Sequence, residues 1–269
     1  SACPSLGRRL LYVSEMRQGR PRQTDSLVRS IYVRWARCSG AVVMRTELIP
    51  VPARPLDVPM WCENRGQRSR ADAAATALLR YHDATEGGFG GAPKFPQPVF
   101  LELLMEVGAE RPEAIAAVKR TLDRMAIGGI HDQVAGGFHR YAVDGTWTVP
   151  HFEKMLYDNG QLASLYARSV RRTADPYHAR VLRDLAEYVL REMTEDDGAF
   201  RSAQDAEVDA REGGTHVWRP DEVAAALTEA GLEADVPFAL AVYGLDRGPN
   251  FQDPHHPQDP PANVLRRSE

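Results

Sequence analysis

From Ala71 onward, apolar residues recur every three or four positions, the spacing that places them on one face of an α-helix. Four stripes follow this spacing: Phe100, Leu103, Leu104 and Val107; Ile115, Val118, Leu122 and Met125; Leu162, Leu165 and Tyr166; and Tyr177, Val181, Leu185, Tyr188 and Val189. An amphipathic helix buries such a stripe against a neighbouring element. The pattern predicts a mainly α protein of about seven helices, mostly paired as hairpins.

Helix boundaries are marked by residues that favour starting or stopping a helix. Pro112 suits a first helical position, and Asp175 followed by Pro176 suits a helix N-terminus. Gly231 and Gly244 suit helix ends. Together with the stripes, these signals predict helices from Ala71 to about Asp83, from Pro112, from Pro176, from Pro220 to Ala230 and around Phe238 to Tyr243.

The two ends of the chain do not follow the helical pattern. Residues 1–70 hold short apolar stretches separated by Arg, and Pro50 to Pro59 contains four prolines, which predicts an irregular segment with a linker. Residues 249–269 hold five prolines and predict an extended or disordered tail. The expected organisation is an unassigned Arg-rich segment (1–70), a domain of helical hairpins (71–248) and a Pro-rich tail (249–269).

Composition and charge exclude several functional classes. The 269 residues are 43% hydrophobic, enough to build a core. Residues 1–70 carry 13 Arg against 5 acidic residues, but they lack interleaved aromatic residues and any recognisable module, so nucleic-acid binding is not expected. No apolar run reaches the roughly 18 residues of a membrane span and no secretory signal is recognised, which predicts a cytoplasmic protein. Cys3, Cys38 and Cys62 form no CxxC pair, so neither a zinc site nor a redox dithiol is expected.

The segment from Gly128 to Asp158 concentrates glycine with aromatic, imidazole and carboxylate side chains. This mixture suits a carbohydrate site, because aromatic rings stack on sugar C–H surfaces while carboxylates and imidazoles bond hydroxyls and move protons. Glu153 and Asp158 are candidates for an acid/base pair of the kind used in glycoside hydrolysis. The candidate catalytic residues are His139, His151, Glu153, Asp132 and Asp158, and the candidate substrate-binding residues are Lys94, Phe95, Arg140, Tyr141, Trp147 and Asp205.

A structural role is the alternative for the individual residues of this segment. A buried hydrogen-bond network that merely pins the loop is the alternative for His139, Arg140, His151 and Glu153. Metal binding is not expected, because neither HExxH nor a comparable short spacing occurs.

Other candidate positions have similar alternatives. The glycines around Lys94 fit a tight connection as well as a ligand-facing loop. Asp205 fits either the same cavity or a solvated turn. The lone histidines of the helical stripes, His82 and His178, are expected at the surface or at its boundary.

Five motifs carry a resemblance to known proteins: GGFGGAPKFP at 87–96, GGIHDQVAGGFHRYAVDGTWTVPHFEKMLYDN at 128–159, SAQDAE at 202–207, EGGTHVW at 212–218 and NVL at 263–265. With them the chain resembles the YyaL-type thioredoxin-domain-containing proteins, a family that includes the spermatogenesis-associated thioredoxin-like protein of animals. The resemblance runs from about Ala71 to Leu265. Family members have a thioredoxin-like domain with a CxxC-type motif, which is not recognisable here.

The resemblance implies an (α/α)6 toroid similar to N-acylglucosamine epimerases and six-hairpin glycosidases, of which this chain holds a part. By similarity to sugar epimerases, His139 and His151 are the acid/base candidates. Asp132, Glu153 and Asp158 then orient them or bind hydroxyls. The third segment departs from the family pattern, since Gln204 stands where an acid is usual and His216 where an aromatic residue is commoner.

The expected function is sugar isomerase or hydrolase chemistry by proton transfer, with a carbohydrate ligand and no organic cofactor. A non-catalytic binding module, whose relatives act on protein partners through the thioredoxin-like domain, is one alternative. An inactive fragment of a toroid is the other. The sequence identifies no protein partner.

Overall fold

The computed structural model describes residues 29–38, 41–50 and 65–267, and side chains from residue 69 to residue 267. The chain divides into two compact units, Ser1–Asn64 and Arg65–Glu269. In the first unit, strand β1 (Arg29–Cys38) pairs antiparallel with β2 (Ala41–Pro50), and Cys38 lies opposite Ala41. The expectation of irregular structure is wrong for these two stretches, because their β-branched and aromatic residues favour strands and a two-residue Ser-Gly separation is typical of a hairpin. The expected linker lies mostly outside the described residues.

The second unit is mainly α, as the apolar stripes predict. Its seven α-helices, counted over residues 65–267, are α1 (Arg65–Tyr81), α2 (Pro98–Val107), α3 (Pro112–Ile127), α4 (Leu156–Thr173), α5 (Pro176–Glu192), α6 (Pro220–Glu229) and α7 (Val236–Val242). Helix α1 therefore begins six residues before the expected start at Ala71. None of the helices in this described part of the chain is both long and apolar enough to cross a membrane.

Helices α4 and α5 form an antiparallel hairpin whose turn follows the predicted capping chemistry. Ala174 ends α4 in a left-handed conformation, and the Asp175 carboxylate accepts a hydrogen bond of 2.9 Å from the backbone N–H of Tyr177. Pro176 occupies the first turn of α5, where its missing N–H costs nothing. The predicted start of α5 is confirmed.

The core is built by helices α1 to α5, and it contains the predicted apolar stripes. In α2, however, the buried face is rotated from the predicted one. In α2 the fully enclosed residues are Leu101, Leu104 and Met105, rather than a face running through Phe100 and Val107. The remaining enclosed side chains follow the predicted faces of α3, α4 and α5: Val118, Leu122, Met125, Leu162, Leu165, Tyr166, Val181, Leu185 and Tyr188.

His178 is an exception to the expected surface position of the lone histidines, because its side chain is fully buried. Its Nδ1 lies 2.7 Å from the Ser169 hydroxyl and its Nε2 lies 2.8 Å from Asp123 Oδ1. Both ring nitrogens are therefore satisfied by the neighbouring helices α3 and α4, which offsets the cost of burying the ring. The helical stripe alone did not reveal these partners. The other lone histidine, His82, is half-buried as expected.

Between the helices, short strands connect the long loops. They are β3 (Tyr141–Ala142) with β4 (Pro150–His151), β5 (Lys154–Met155) with β6 (Ala203–Gln204), β7 (Glu207–Val208) with β8 (Arg211–Glu212), and β9 (Val217–Trp218) with β10 (Asn263–Val264). The last pair belongs to the Pro-rich tail. As expected, residues 249–267 contain no helix, but they are not a detached end: Asn263 and Val264 are buried, and the Asn263 amide donates to Gly248 O at 2.7 Å.

Candidate functional site

A pattern of eight residues, His-Asp-x-x-x-Gly-Gly-Phe, occurs twice in the loops, at 82–89 and at 131–138. In both copies the His and the Phe form an isolated β-bridge. In both, one Asp oxygen accepts two backbone N–H groups of the following residues, as Asp83 and Asp132 show. The two loops are therefore structural repeats, and the repeated pattern is a sequence signal that single motifs do not reveal.

Each repeat is closed by a buried lysine. In the first, the ammonium group of Lys94 donates to Asp83 Oδ2 at 2.8 Å and to the carbonyls of Gly87 and Gly145, each at 2.9 Å. In the second, Lys154 donates to Asp132 Oδ2 at 2.7 Å and to Gly136 O at 3.0 Å. We call these groups the first clamp (Asp83 and Lys94) and the second clamp (Asp132 and Lys154). Both lysine side chains are fully buried.

Three candidate site residues belong to these clamps or pack on them. Lys94 uses all three ammonium donors inside the protein. Trp147 is fully buried, and the centre of its ring lies 5.4 Å from the Lys94 ammonium nitrogen. The indole N–H of Trp147 donates to Glu86 O at 2.9 Å. Asp132 is bonded by Lys154 and by backbone N–H groups. These contacts show that Lys94, Trp147 and Asp132 stabilise the two loops.

A glycine of the second repeat gives a direct test of this packing. Gly137 has a φ of +78°, and a Cβ placed on it would lie 2.4 Å from Cδ1 of Tyr188. Gly137→Ala is expected to lower the free energy of unfolding by about 1–3 kcal/mol from the backbone conformation alone. Overlap with Tyr188, whose ring lies 4.5 Å from the Lys154 ammonium, adds to this.

The matched control is Gly145→Ala, because a Cβ at Gly145 meets nothing within 4 Å and its φ is not positive. Urea unfolding of the two variants compares the two sites. Equal midpoints for both variants would contradict the close packing of the second repeat.

Beside the second clamp, the imidazoles of His139 and His216 pack against the ring of Phe152. His139 is buried and its Nδ1 lies 2.9 Å from Phe152 O, so Nδ1 carries the proton, because a carbonyl only accepts. Burial, together with the nearby Lys154 and His216, holds the pKa of His139 well below its usual value. His139 is therefore neutral at neutral pH.

The same group has the residue types of a metal site. One ligand atom each from Asp132, His139 and His216 lie within 4.8 Å of one another, and two imidazoles with a carboxylate suit a transition-metal ion. However, Asp132 Oδ2 already accepts from Lys154, and it also lies 3.3 Å from Nδ1 of His216. The ammonium charge opposes a second cation at that oxygen, so the expectation of no metal remains our prediction.

A second set of candidate residues faces outward. The rings of Phe95 and Tyr141 are stacked with centroids 4.6 Å apart, and Tyr141 stacks in turn on His151 at 5.1 Å. The strand pair β3–β4 sets this geometry, because Tyr141 lies directly opposite His151. Phe95 is 40% exposed, so one end of the stack is open to solvent.

Charged groups surround this stack. His151 Nδ1 lies 2.8 Å from Glu212 Oε1, and Arg140 donates to Glu153 at 2.9 Å. Asp158, in the first turn of α4, has a buried oxygen, Oδ2, with no hydrogen-bond partner. Burial raises the pKa of Asp158 to about 6, with Arg140 acting to lower it and Glu153 to raise it further. We call this set the outer face: Phe95, Arg140, Tyr141, His151, Glu153, Asp158 and Glu212.

The structure thus divides the candidate site residues into two groups and leaves one apart. Asp132, His139, Lys94 and Trp147 lie in the interior, while the outer face holds the others except Asp205. Asp205 is exposed, and within the described residues its carboxylate accepts a hydrogen bond only from the backbone N–H of Glu207, which matches a solvated turn. Glu212 and His216 were not on the candidate list, although both lie in the EGGTHVW motif that carried part of the resemblance.

Comparisons with known proteins give relatives but no family model that matches. The chain is 37% identical over 216 residues to human Spermatogenesis-associated protein 20, which covers 70% of this chain and 28% of that protein. The mouse protein of the same name is 37% identical over 194 residues, with 65% of this chain and 25% of the relative covered. An uncharacterised Caenorhabditis elegans protein is 40% identical over 133 residues, which cover 46% of this chain and 18% of the relative. The chain thus spans about a quarter of the length of the two mammalian relatives and 18% of the Caenorhabditis elegans protein.

Among solved structures, similar folds include sugar epimerases. Cellobiose 2-epimerase from Spirochaeta thermophila matches with a TM-score of 0.46 and 13% identity, covering 70% of this chain and 56% of that one. A sugar epimerase from a ruminal bacterium matches with a TM-score of 0.45 and 15% identity, covering 67% of this chain and 56% of that one. Similarity at this level assigns no chemistry to the present residues.

Proposed function

We propose that the outer face binds a carbohydrate and catalyses proton transfer on it, in an isomerisation or a hydrolysis that uses no organic cofactor. The chain would then be the toroid part of a YyaL-type protein, as the motifs at 87–96 and 128–159 suggest. The observation that carries the proposal is an aromatic stack, open at Phe95, beside a carboxyl group that has a raised pKa and an unpartnered oxygen.

An exposed stack of rings suits a sugar because C–H groups on one side of a pyranose present an apolar surface. Phe95 and Tyr141 offer such a partner, and the hydroxyls at the edge of the ring need polar groups within reach. His151, held by Glu212, and Arg140, paired with Glu153, provide donors and acceptors on the same face.

The two carboxyl groups of the outer face suit different roles. Asp158 has a pKa of about 6 and is therefore protonated in a fraction of molecules near neutral pH, which suits a general acid. Glu153 is ion-paired with Arg140, which suits a general base or a partner for hydroxyl groups. Two carboxyls in contrasting environments are a recurring arrangement for acid/base work on sugars. His139, enclosed and bonded to Phe152 O, fits a positioning role better than direct proton transfer.

Thermal unfolding of the full chain with a panel of monosaccharides, amino sugars and uronic acids tests binding. We expect one sugar to raise the unfolding temperature. Phe95→Ala is expected to weaken binding of that sugar by about 1 kcal/mol, roughly fivefold in Kd, which is typical of one aromatic contact.

The control for this variant is Phe238→Ala, because Phe238 is an exposed aromatic residue of α7, 70% exposed, that is not part of the outer face. It is expected to leave sugar binding unchanged. An equal loss in the two variants, or no response to any sugar in a chain that unfolds cooperatively, would remove the proposal.

A non-catalytic binding module is the second candidate. It is favoured by the interior of the second repeat, where His139, Asp132 and Lys154 bond to other protein groups rather than facing a roomy cavity. On that account the sugar would bind through the same rings, but no turnover would depend on Asp158.

A further inference from the structure

The two structural repeats differ at their histidines. In the first, His82 Nε2 lies 3.1 Å from the hydroxyl of Thr121 on α3, which satisfies that nitrogen. In the second, His131 is only 5% exposed, and neither of its buried ring nitrogens has a hydrogen-bond partner of normal geometry, although the nearby Ala126 carbonyl acts to raise its pKa. Since a buried polar group left unpaired costs about 1–3 kcal/mol, the second repeat has a polar deficit that the first does not have.

A second unpartnered group lies in the same place. His131 lines a narrow recess between the 131–133 loop, helix α5, Tyr243 and Arg267. The hydroxyl of Tyr177, on α5, is also buried in this recess without a partner. His131 and Tyr177 thus bring unused hydrogen-bonding atoms to one small space, which indicates an occupant with polar atoms.

The charge of the recess indicates the sign of that occupant. The guanidinium of Arg267 stacks 5.6 Å over the Tyr177 ring, and within the part of the chain that the structure describes it forms no hydrogen bond or ion pair. The other charges facing the recess are Arg180 and Asp184, which lie 3.6 Å apart and neutralise each other. Burial lowers the pKa of His131 to about 4, so its ring is neutral at pH 7. The balance is one positive charge.

The side-chain amide of Gln133, which also lines the recess, does not compete for the occupant. The Gln133 amide nitrogen donates to the carbonyls of Ala126, Gly128 and His131, at 3.0, 2.9 and 3.2 Å. It therefore holds the loop in place. The donors available to an occupant include the Tyr177 hydroxyl, one N–H of His131 and the guanidinium of Arg267.

We propose that this recess binds a small oxyanion, a carboxylate or a phosphate group, through His131, Tyr177 and Arg267. All three provide donors, and the guanidinium provides the compensating charge and a planar fork that matches such an anion. The proposal is independent of the carbohydrate chemistry of the outer face, because it uses none of its residues.

The test measures binding of inorganic phosphate, sulfate and acetate to the full chain by thermal unfolding and calorimetry, with sodium chloride at equal ionic strength as the reference. At least one oxyanion is expected to stabilise the protein beyond the chloride reference. Phosphate and acetate serve as separate arms, so that the two sources of the same chemistry are distinguished. Arg267→Gln is expected to weaken binding about tenfold or more, the size of one hydrogen bond to a charged group.

The variant Tyr177→Phe distinguishes a ligand-binding recess from a recess whose polar atoms are simply left unpaired. Without the anion this variant is expected to be as stable as the parent, because it deletes an unpartnered hydroxyl; with the anion it is expected to lose most of the stabilisation. Arg201→Gln is the control, since Arg201 pairs with Glu195 on the exposed surface away from the recess. Stabilisation no greater than that of chloride, or one that survives both Arg267→Gln and Tyr177→Phe, means that the recess holds only water and overturns the proposal.

Discussion

Replacing Lys154 with Met is expected to lower the free energy of unfolding by about 3–5 kcal/mol, because the change leaves the carboxylate of Asp132 buried without its cation. The Lys154 side chain is fully buried and that of Asp132 is only 9% exposed. Burial on its own would raise the pKa of Asp132, but the hydrogen bond from His216 and the charge of Lys154 hold it well below the usual range. Equilibrium unfolding in urea at pH 7 measures the loss.

The control is Arg201→Met, which also removes the cation of an ion pair, but an exposed one with Glu195. Exposed pairs are screened by water and salt, so this variant is expected to unfold at the parent's midpoint. The second clamp would not be the structural element described here if the two variants lost the same stability.

The second large effect is expected at Asp158. Asp158→Asn keeps the shape of the side chain but removes the acidic proton, and it is expected to lower turnover of the carbohydrate by about 10²–10⁴-fold, the usual contribution of a general acid. In the parent, activity is expected to fall as the pH rises through about 6, because the protonated carboxyl is the active form. Initial rates between pH 4 and pH 8 measure both effects.

Asp158→Asn is also expected to change how the free energy of unfolding depends on pH. The folded chain holds the Asp158 proton more tightly than the unfolded chain, since the pKa is raised from 3.8 to about 6. Stability from this group is therefore present below the unfolded pKa and is lost as the pH rises through about 6. Asp158→Asn is expected to unfold at or above the parent's midpoint at pH 7. A variant that is both inactive and clearly less stable at pH 7 would indicate a structural role instead.

Helices of this chain are predictable from sequence where their ends carry chemical signals. Asp175 and Pro176 fix the start of α5, and Gly231 follows the end of α6, because capping and helix termination depend on residues next to one another in the chain. The phase of α2 was less predictable, since which of its apolar residues are enclosed depends on the neighbouring helices. The burial of His178 depends in the same way on Ser169 and Asp123.

The candidate site was predictable as a segment but not as an arrangement. Residues 128–158 contain the second clamp and five of the seven residues of the outer face, while Phe95 and Glu212 come from other loops. Within this segment the sequence does not distinguish His139, which is enclosed, from His151, which is not. That distinction arises from the β3–β4 pairing and from the packing of Phe152. The structural role of Lys94 was predictable from the sequence, because the repeated His-Asp-x-x-x-Gly-Gly-Phe pattern marks both loops as equivalent.

The most direct test of the proposed chemistry is incubation of the full chain in D₂O with the sugar that stabilises it and, separately, with a glycoside of that sugar, followed by mass spectrometry and NMR of the recovered sugars. Proton transfer to carbon during isomerisation predicts deuterium at a sugar carbon, and hydrolysis predicts a new reducing end; either is expected to disappear in Asp158→Asn. Recovery of an unlabelled, uncleaved sugar from a chain that binds it would contradict catalysis at the outer face.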